Sequence, residues 1–149
     1  MKVSKRALYG ILAVIDLAMH AKDMPVRART IARRQAIPLK FLEQVLSTMK
    51  KAGVIQSVRG AQGGYMLLKE PRALSVADIL QVLDGPVAAP ASTNGIASRP
   101  PLSQQEVLLG HIWRRVAQAE QEVLQQITVD QLVERQRELE EHYAPMYHI

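Results

Sequence analysis

A stretch near position 40 places side chains that form hydrogen bonds next to side chains that carry charge. Apolar residues recur in it at the spacing of one buried helical face: Leu42, Val45, Leu46 and Met49. This spacing predicts a helix over about residues 38–52, whose outward positions are Lys40, Phe41, Glu43, Gln44, Ser47, Thr48 and Lys51. A helix fits the major groove of B-DNA, where Gln can read adenine, Glu can accept from cytosine and Lys can meet phosphate. An ordinary solvated helix face has the same composition, so the neighbouring elements must decide between the two.

A glycine-rich link follows this helix and joins two short runs with high β-propensity, at 54–58 and 65–68. The pattern predicts a β-hairpin with Arg59 at the start of its tip. The glycines at 60, 63 and 64 would let the backbone approach a phosphate or a groove closely. An Arg-Gly turn is common in isolation, but behind a candidate recognition helix it indicates a wing whose arginine enters the minor groove.

The elements around these residues follow the order of a winged helix-turn-helix. An amphipathic helix is predicted at about 5–21, capped by Ser4, with its apolar face formed by Leu8, Ile11, Leu12, Ile15, Ala18 and Met19. A short helix near 27–36, a tight turn at 36–38, the 38–52 helix and the hairpin come next. A fourth helix at 76–83 is capped by Ser75. The predicted fold is mainly α with a small β-hairpin wing.

Charge divides the chain into two unequal parts. Residues 1–69 contain thirteen Lys and Arg against three acidic residues, whereas residues 70–149 contain six against eleven. The N-terminal part is therefore suited to a polyanion, because Lys and Arg that neutralise phosphates gain affinity from counterion release. A basic surface that only aids solubility is the alternative.

The C-terminal part of the sequence predicts a long helix with an apolar seam. Its seam residues recur at spacings of three and four: Leu109, Ile112, Val116, Ala119 and Val123. A small winged domain could not bury this seam together with Trp113, so we expect two such helices to pair antiparallel in a homodimer. The residues predicted for dimerisation are Leu109, Ile112, Trp113, Val116, Val123 and Ile127.

The predicted organisation has three parts. Residues 1–84 form the DNA-binding domain, and residues 85–102, rich in Ala, Pro and Ser, form a flexible loop. Residues 103–149 form dimerisation helices and a tail, with the last helix at about 129–142.

Several motifs together resemble the Rrf2 family of winged-helix transcription regulators. They are SKRALY at 4–9, IP at 37–38, FLEQVL at 41–46, SVRGAQGGY at 57–65, VADIL at 76–80 and Trp113. The resemblance implies a homodimer joined through the long helix, which reads a partly palindromic operator and usually represses genes. It also implies that Glu43 and Gln44 meet bases and that Arg59 lies in the wing. The residues we predict to contact double-stranded DNA are Lys5, Arg29, Leu39, Lys40, Phe41, Glu43, Gln44, Arg59, Gly60, Gln62 and Gly63.

The chain differs from this family in the residues that would bind a sensing cofactor. Sensors of the family typically bind an iron-sulfur cluster through three cysteines before the long helix, but this sequence contains no cysteine. Serine hydroxyls do not replace thiolates on iron in the usual way, so we expect no cluster and no other cofactor. Ser92, Ser98 and Ser103 do lie at spacings that a cysteine triad could occupy, which leaves open a Cys-to-Ser replacement.

Other functions find less support in the sequence. No two of the four histidines have metal-ligand spacing on one helix face, although the tail from His142 to His148 leaves a metal-binding terminus open. No nucleophile with a base, paired carboxylates or phosphate-binding loop is recognisable, so we do not expect an enzyme. The sequence predicts neither a signal peptide nor a membrane span, which favours a cytoplasmic protein. A regulator controlled by a docked metabolic enzyme or other protein, or by a metal or small molecule, remains the alternative.

Overall fold

The helix-turn-helix and the hairpin occupy the first half of the chain in a computed structural model, which describes residues 1–86 and 103–143. The elements are helices α1 (Lys5–His20), α2 (Ala28–Gln35) and α3 (Leu39–Lys51), strands β1 (Ile55–Val58) and β2 (Gly64–Leu67), a short 3-10 helix (Pro71–Ala73), and helices α4 (Val76–Asp84), α5 (Gln104–Gln126) and α6 (Val129–Tyr143). The mainly α fold with one small hairpin is confirmed. Where the sequence predicted the bounds of an element, those bounds lie within two residues of the observed ones.

Helix α1 lies at the centre of the fold, where it contacts α2, α3, α4, α6 and β2. Its predicted buried face was wrong in part, because Leu8 is 49% exposed and Leu12 is 37% exposed. Smaller residues, among them Ala7 and Ala13, line the buried face instead. At Gly10 an added Cβ would collide with Leu83 of α4, so small side chains let the neighbouring helices approach α1 closely.

The hairpin is antiparallel, with Ile55 opposite Leu67 and Val58 opposite Gly64. The segment before α2 joins it through an isolated bridge between Val26 and Tyr65. The Val26 amide donates to the Tyr65 carbonyl at 3.0 Å, and the Tyr65 amide donates to the Val26 carbonyl at 2.7 Å. The start of α2 is therefore held against the hairpin.

The last two helices join the same core at a corner between α5 and α6. The Val76 amide donates to the Ile127 carbonyl and the Val129 amide to the Leu74 carbonyl, each at 2.8 Å. Val129 and Val133 of α6 are buried in the cluster that also contains the inward residues of α1 and α3. One hydrophobic core thus extends across the predicted boundaries at residues 84 and 103.

Ile127 does not fit the dimerisation role predicted for it. Helix α5 ends at Gln126, so Ile127 leaves the helical face that carries the seam. Its side chain packs instead against a small cluster of its own chain, formed by Ala7, Val76 and Leu80.

Several predictions concern residues outside the described ranges. The loop predicted at 85–102 lies there except for its first two residues, and so do Ser92, Ser98 and the tail after Tyr143. Ser103 is described, and its hydroxyl caps α5 by accepting from the Glu106 amide at 3.2 Å. No helix among the described residues is long and apolar enough to cross a membrane.

Candidate nucleic-acid interface

The exposed face of α3 groups four polar side chains. Leu42, Val45, Leu46 and Met49 are all buried, which confirms the inward face predicted from their spacing. The opposite face presents a shallow depression lined by Lys40, Glu43, Gln44 and Ser47. These side chains provide an ammonium, a carboxylate, an amide and a hydroxyl over two turns of helix. This combination can both contact phosphate and discriminate between base edges.

The first turn of α3 is fixed from beneath by apolar contacts. Leu39 and Phe41, which we predicted to contact DNA, are partly buried and pack against the core. The ring of Phe41 meets Tyr9 of α1 edge-on, with centroids 5.3 Å apart and an interplanar angle of 83°. Both residues therefore help to hold α3 against the core.

The N-terminus of α1 places basic side chains beside α3. Lys5 and Arg6 are exposed, and the Arg6 guanidinium donates to Thr48 Oγ1 at 3.2 Å. Thr48 Oγ1 in turn donates to the Gln44 carbonyl at 3.1 Å. Arg6 was absent from the predicted site because its contact joins residues 42 positions apart, which no local pattern reveals.

The hairpin tip presents Arg59, Gly60 and Gln62 to solvent, whereas Gly63 is buried. An added Cβ at Gly63 would collide with the Val58 carbonyl, and one at Gly64 with the backbone of Val26. The hairpin's own packing therefore requires glycine at both positions. Gly60, with φ +114° and open space around it, is the one whose conformation and exposure leave room for a groove or a phosphate.

A side chain missed by the sequence analysis connects this tip to α2. The guanidinium of Arg27, the residue that precedes α2, donates to the Ala61 carbonyl. Arg27 and Gln62 also line a cleft between α2 and the hairpin, together with Thr30 and Arg34. Arg29, predicted to contact DNA, lies exposed in the first turn of α2. The tip and α2 thus form one surface rich in arginine.

Known proteins share this arrangement along nearly the whole chain. The transcriptional regulator CymR of Bacillus subtilis is 34% identical over 132 residues, which are 89% of either chain. IscR of Yersinia pestis is 33% identical over 140 residues, which are 94% of this chain and 84% of that relative.

Solved structures agree with these sequence relatives. The structure of IscR from T. potens has a TM-score of 0.76 and 36% identity, and it covers 93% of this chain and 90% of its own. CymR of B. subtilis, described as its global cysteine regulator, has a TM-score of 0.76 and 32% identity over 91% of this chain and 98% of its own. The family model Rrf2, described as an iron-dependent transcriptional regulator, matches residues 3–135.

A protein that binds iron must supply donor atoms from its side chains. The residues of this chain do not fit a thiolate-bound cluster. The sequence contains no cysteine. Within 1–86 and 103–143, no three His, Asp or Glu side chains come together as a metal site. The Ser103 hydroxyl lies in the helix cap of α5. By the extent of its similarity to the family model and to these relatives, the chain belongs to the Rrf2 family of transcriptional regulators.

Proposed function

We propose that this protein binds a two-fold DNA operator as a homodimer and represses transcription without an iron-sulfur cluster. The observation that carries the proposal is the exposed face of α3, where Lys40, Glu43, Gln44 and Ser47 stand over a fully buried apolar face. In a winged helix-turn-helix this is the helix that enters the major groove. Gln44 and Glu43 would then meet base edges, and Lys40 would meet phosphate.

Positive charge around α3 and the hairpin supports a polyanionic partner. Lys5, Lys40 and Arg59 are exposed, and the residues up to position 69 contain ten more cations than acidic residues. Each cation that neutralises a phosphate releases counterions, which makes the affinity strongly dependent on salt. We propose Arg59 and Gln62 as contacts of the wing, and Lys5 and Arg29 as phosphate contacts.

The exposed surface of α5 supports the homodimer. None of its 23 residues is buried. Its exposed large side chains include Leu109, Ile112, Trp113, Val116 and Val123, between 43% and 56% accessible. A contiguous apolar face of this kind marks an interaction surface. We propose that a second copy covers it by antiparallel pairing of α5, which would place two copies of α3 on one duplex.

Regulation would come from an input other than a thiolate-bound cluster. We propose a protein or a small molecule as that input, because residues 70–149 are net acidic and α6 exposes Glu134, Glu138, Glu140 and Glu141. The sign of regulation is open to a direct test by transcription in vitro. A promoter that contains the bound sequence should yield less RNA when the protein is added, whereas increased RNA would contradict repression.

A salt series tests the DNA interface. The probe is a labelled duplex enriched from random-sequence DNA by the protein, compared with a scrambled duplex of the same length in fluorescence anisotropy. We expect log affinity to fall linearly with log salt, with a slope of several units.

Arg59→Ala should weaken binding of the enriched duplex by at least about fivefold, and Arg137→Ala on α6 provides the matched charge control. A slope near zero, or equal binding by Arg59→Ala and wild type, would contradict the interface.

A further inference from the structure

We propose that Asp16 is a positioning residue for DNA recognition, which acts by fixing the end of α2 from which α3 departs. The inference rests on the proposed DNA-binding function. It concerns a partly buried ionic cluster that lies outside the exposed face of α3 and that contributes no predicted contact to DNA.

The cluster joins α1 to α2 through three hydrogen bonds. Asp16 is fully buried on α1, and among the residues that the structure describes it is the one charged side chain so placed. The Arg34 guanidinium donates to both oxygens of the Asp16 carboxylate, from Nε to Oδ2 at 2.9 Å and from Nη2 to Oδ1 at 2.7 Å. The Gln35 amide donates to Oδ2 at 2.9 Å. The carboxylate therefore holds two neighbouring side chains of α2 at once.

The position of this cluster in the chain gives it influence over α3. Arg34 and Gln35 are the last two residues of α2, and α3 begins at Leu39. The turn between them is short and rigid, because Ala36 adopts the left-handed conformation and the Ile37 amide bonds to the Ala32 carbonyl at 2.9 Å. Any rotation of the end of α2 would thus be transmitted to α3 and to the side chains on its exposed face.

A contribution to the free energy of unfolding does not by itself account for the cluster of Asp16, Arg34 and Gln35. Burying a carboxylate costs desolvation energy, and apolar pairs of similar volume are often as stable as a buried ion pair. What an apolar contact lacks is direction, since packed methyl groups permit small rotations that a bidentate Arg–carboxylate pair does not. Asp16 also offsets the charge of Arg34, whose side chain is 34% exposed. Arg34 is therefore better suited to alignment than to binding phosphate.

Two conservative variants test the inference. Asp16→Asn keeps the shape of the side chain but removes its charge. Arg34→Lys keeps the positive charge but cannot form the bidentate pair. The control is Val133→Ala, which lowers stability by removing buried apolar atoms from α6, a helix that packs mainly on α1 and the 3-10 helix. Affinities for the enriched and the scrambled duplex are measured by anisotropy over a salt series, at a temperature where circular dichroism shows each protein folded.

We expect both variants to lose at least tenfold in the ratio of enriched to scrambled affinity. Their salt slope and their affinity for the scrambled duplex should stay within twofold of wild type, and Val133→Ala should keep the wild-type ratio.

Wild-type ratios in Arg34→Lys would overturn the inference, whether or not Asp16→Asn folds. Equal weakening on both duplexes with a reduced salt slope would overturn it too, by showing that Arg34 contacts phosphate. If the wild-type protein itself prefers no duplex, it is the proposed function that fails.

Discussion

Two kinds of side chain share the exposed face of α3, and they would contribute to different properties of binding. Lys40 provides a charge that any duplex would attract, because phosphates are present at every step. Glu43 and Gln44 provide hydrogen-bonding groups whose value depends on the base they meet. Affinity for any DNA and preference for one sequence should therefore respond to different substitutions.

Gln44→Ala should reduce the preference for the enriched duplex over the scrambled one. It should leave the affinity for the scrambled duplex almost unchanged. The loss of a bidentate contact to a base would cost about 1–3 kcal/mol on the enriched duplex and little on the scrambled one. Competition anisotropy against duplexes substituted at each position measures both effects and should find one position per half-site relaxed. Gln81→Ala, at an exposed position of α4, is the matched control. Equal losses on both duplexes would show that Gln44 does not read a base.

The turn between α2 and α3 sets the geometry of the recognition unit at the scale of the elements. Ala36 closes α2 with φ 53° and ψ 45°, a left-handed conformation that an L-residue adopts at a cost. The sequence predicted a tight turn here from Ile37 and Pro38 but gave no sign of the strained position, since Gly would be the usual residue.

Ala36→Gly should raise the free energy of unfolding by about 1 kcal/mol, because relief of the left-handed strain exceeds the added entropy of the unfolded chain. Urea unfolding followed by circular dichroism measures the change. Ala52→Gly provides the contrast, because Ala52 ends α3 with φ −82° and should lose stability on the same substitution. A lower free energy of unfolding for Ala36→Gly would contradict this, by showing that the Ala36 methyl group makes stabilising contacts.

The spacing of apolar residues predicted the helices and strands well, but it did not reveal the contacts between them. The inward face of α3 follows from the spacing of Leu42, Val45 and Met49, and the hairpin follows from its glycines. The steric need for glycine at position 64 comes from the backbone of Val26, which lies 38 positions away and which no local pattern reveals. The face of α1 was partly wrong because hydropathy favours Leu8 and Leu12, whereas close helix packing selects Gly10 and its small neighbours. The link from Asp16 to Arg34 joins two helices, so neither helix alone indicates it.

At the scale of the whole molecule, α5 exposes an apolar face, and we propose that a second copy of the chain covers it. Among the described residues, the winged-helix core includes Val129 and Val133 of α6 from the same chain. Helix α5 contributes no buried residue to that core. The fold of one protomer should therefore survive the loss of the proposed dimer.

Trp113→Lys should convert the dimer to a folded monomer, because it places a charge in the centre of the proposed α5 seam. Sedimentation velocity measures the mass, and circular dichroism checks the helix content. Met24→Lys, which also replaces an exposed apolar side chain but lies between α1 and α2, should stay dimeric. A wild-type protein that sediments as a monomer would contradict the pairing outright.

Two copies of α3 should read one two-fold DNA sequence, and selection of duplexes from random DNA tests this most directly. We expect an enriched sequence with two inverted halves whose centres lie one helical turn apart, about 34–36 Å, or a multiple of that. Footprints of wild type should cover both halves. The absence of any enriched sequence, or enrichment of a single half without symmetry, would contradict it.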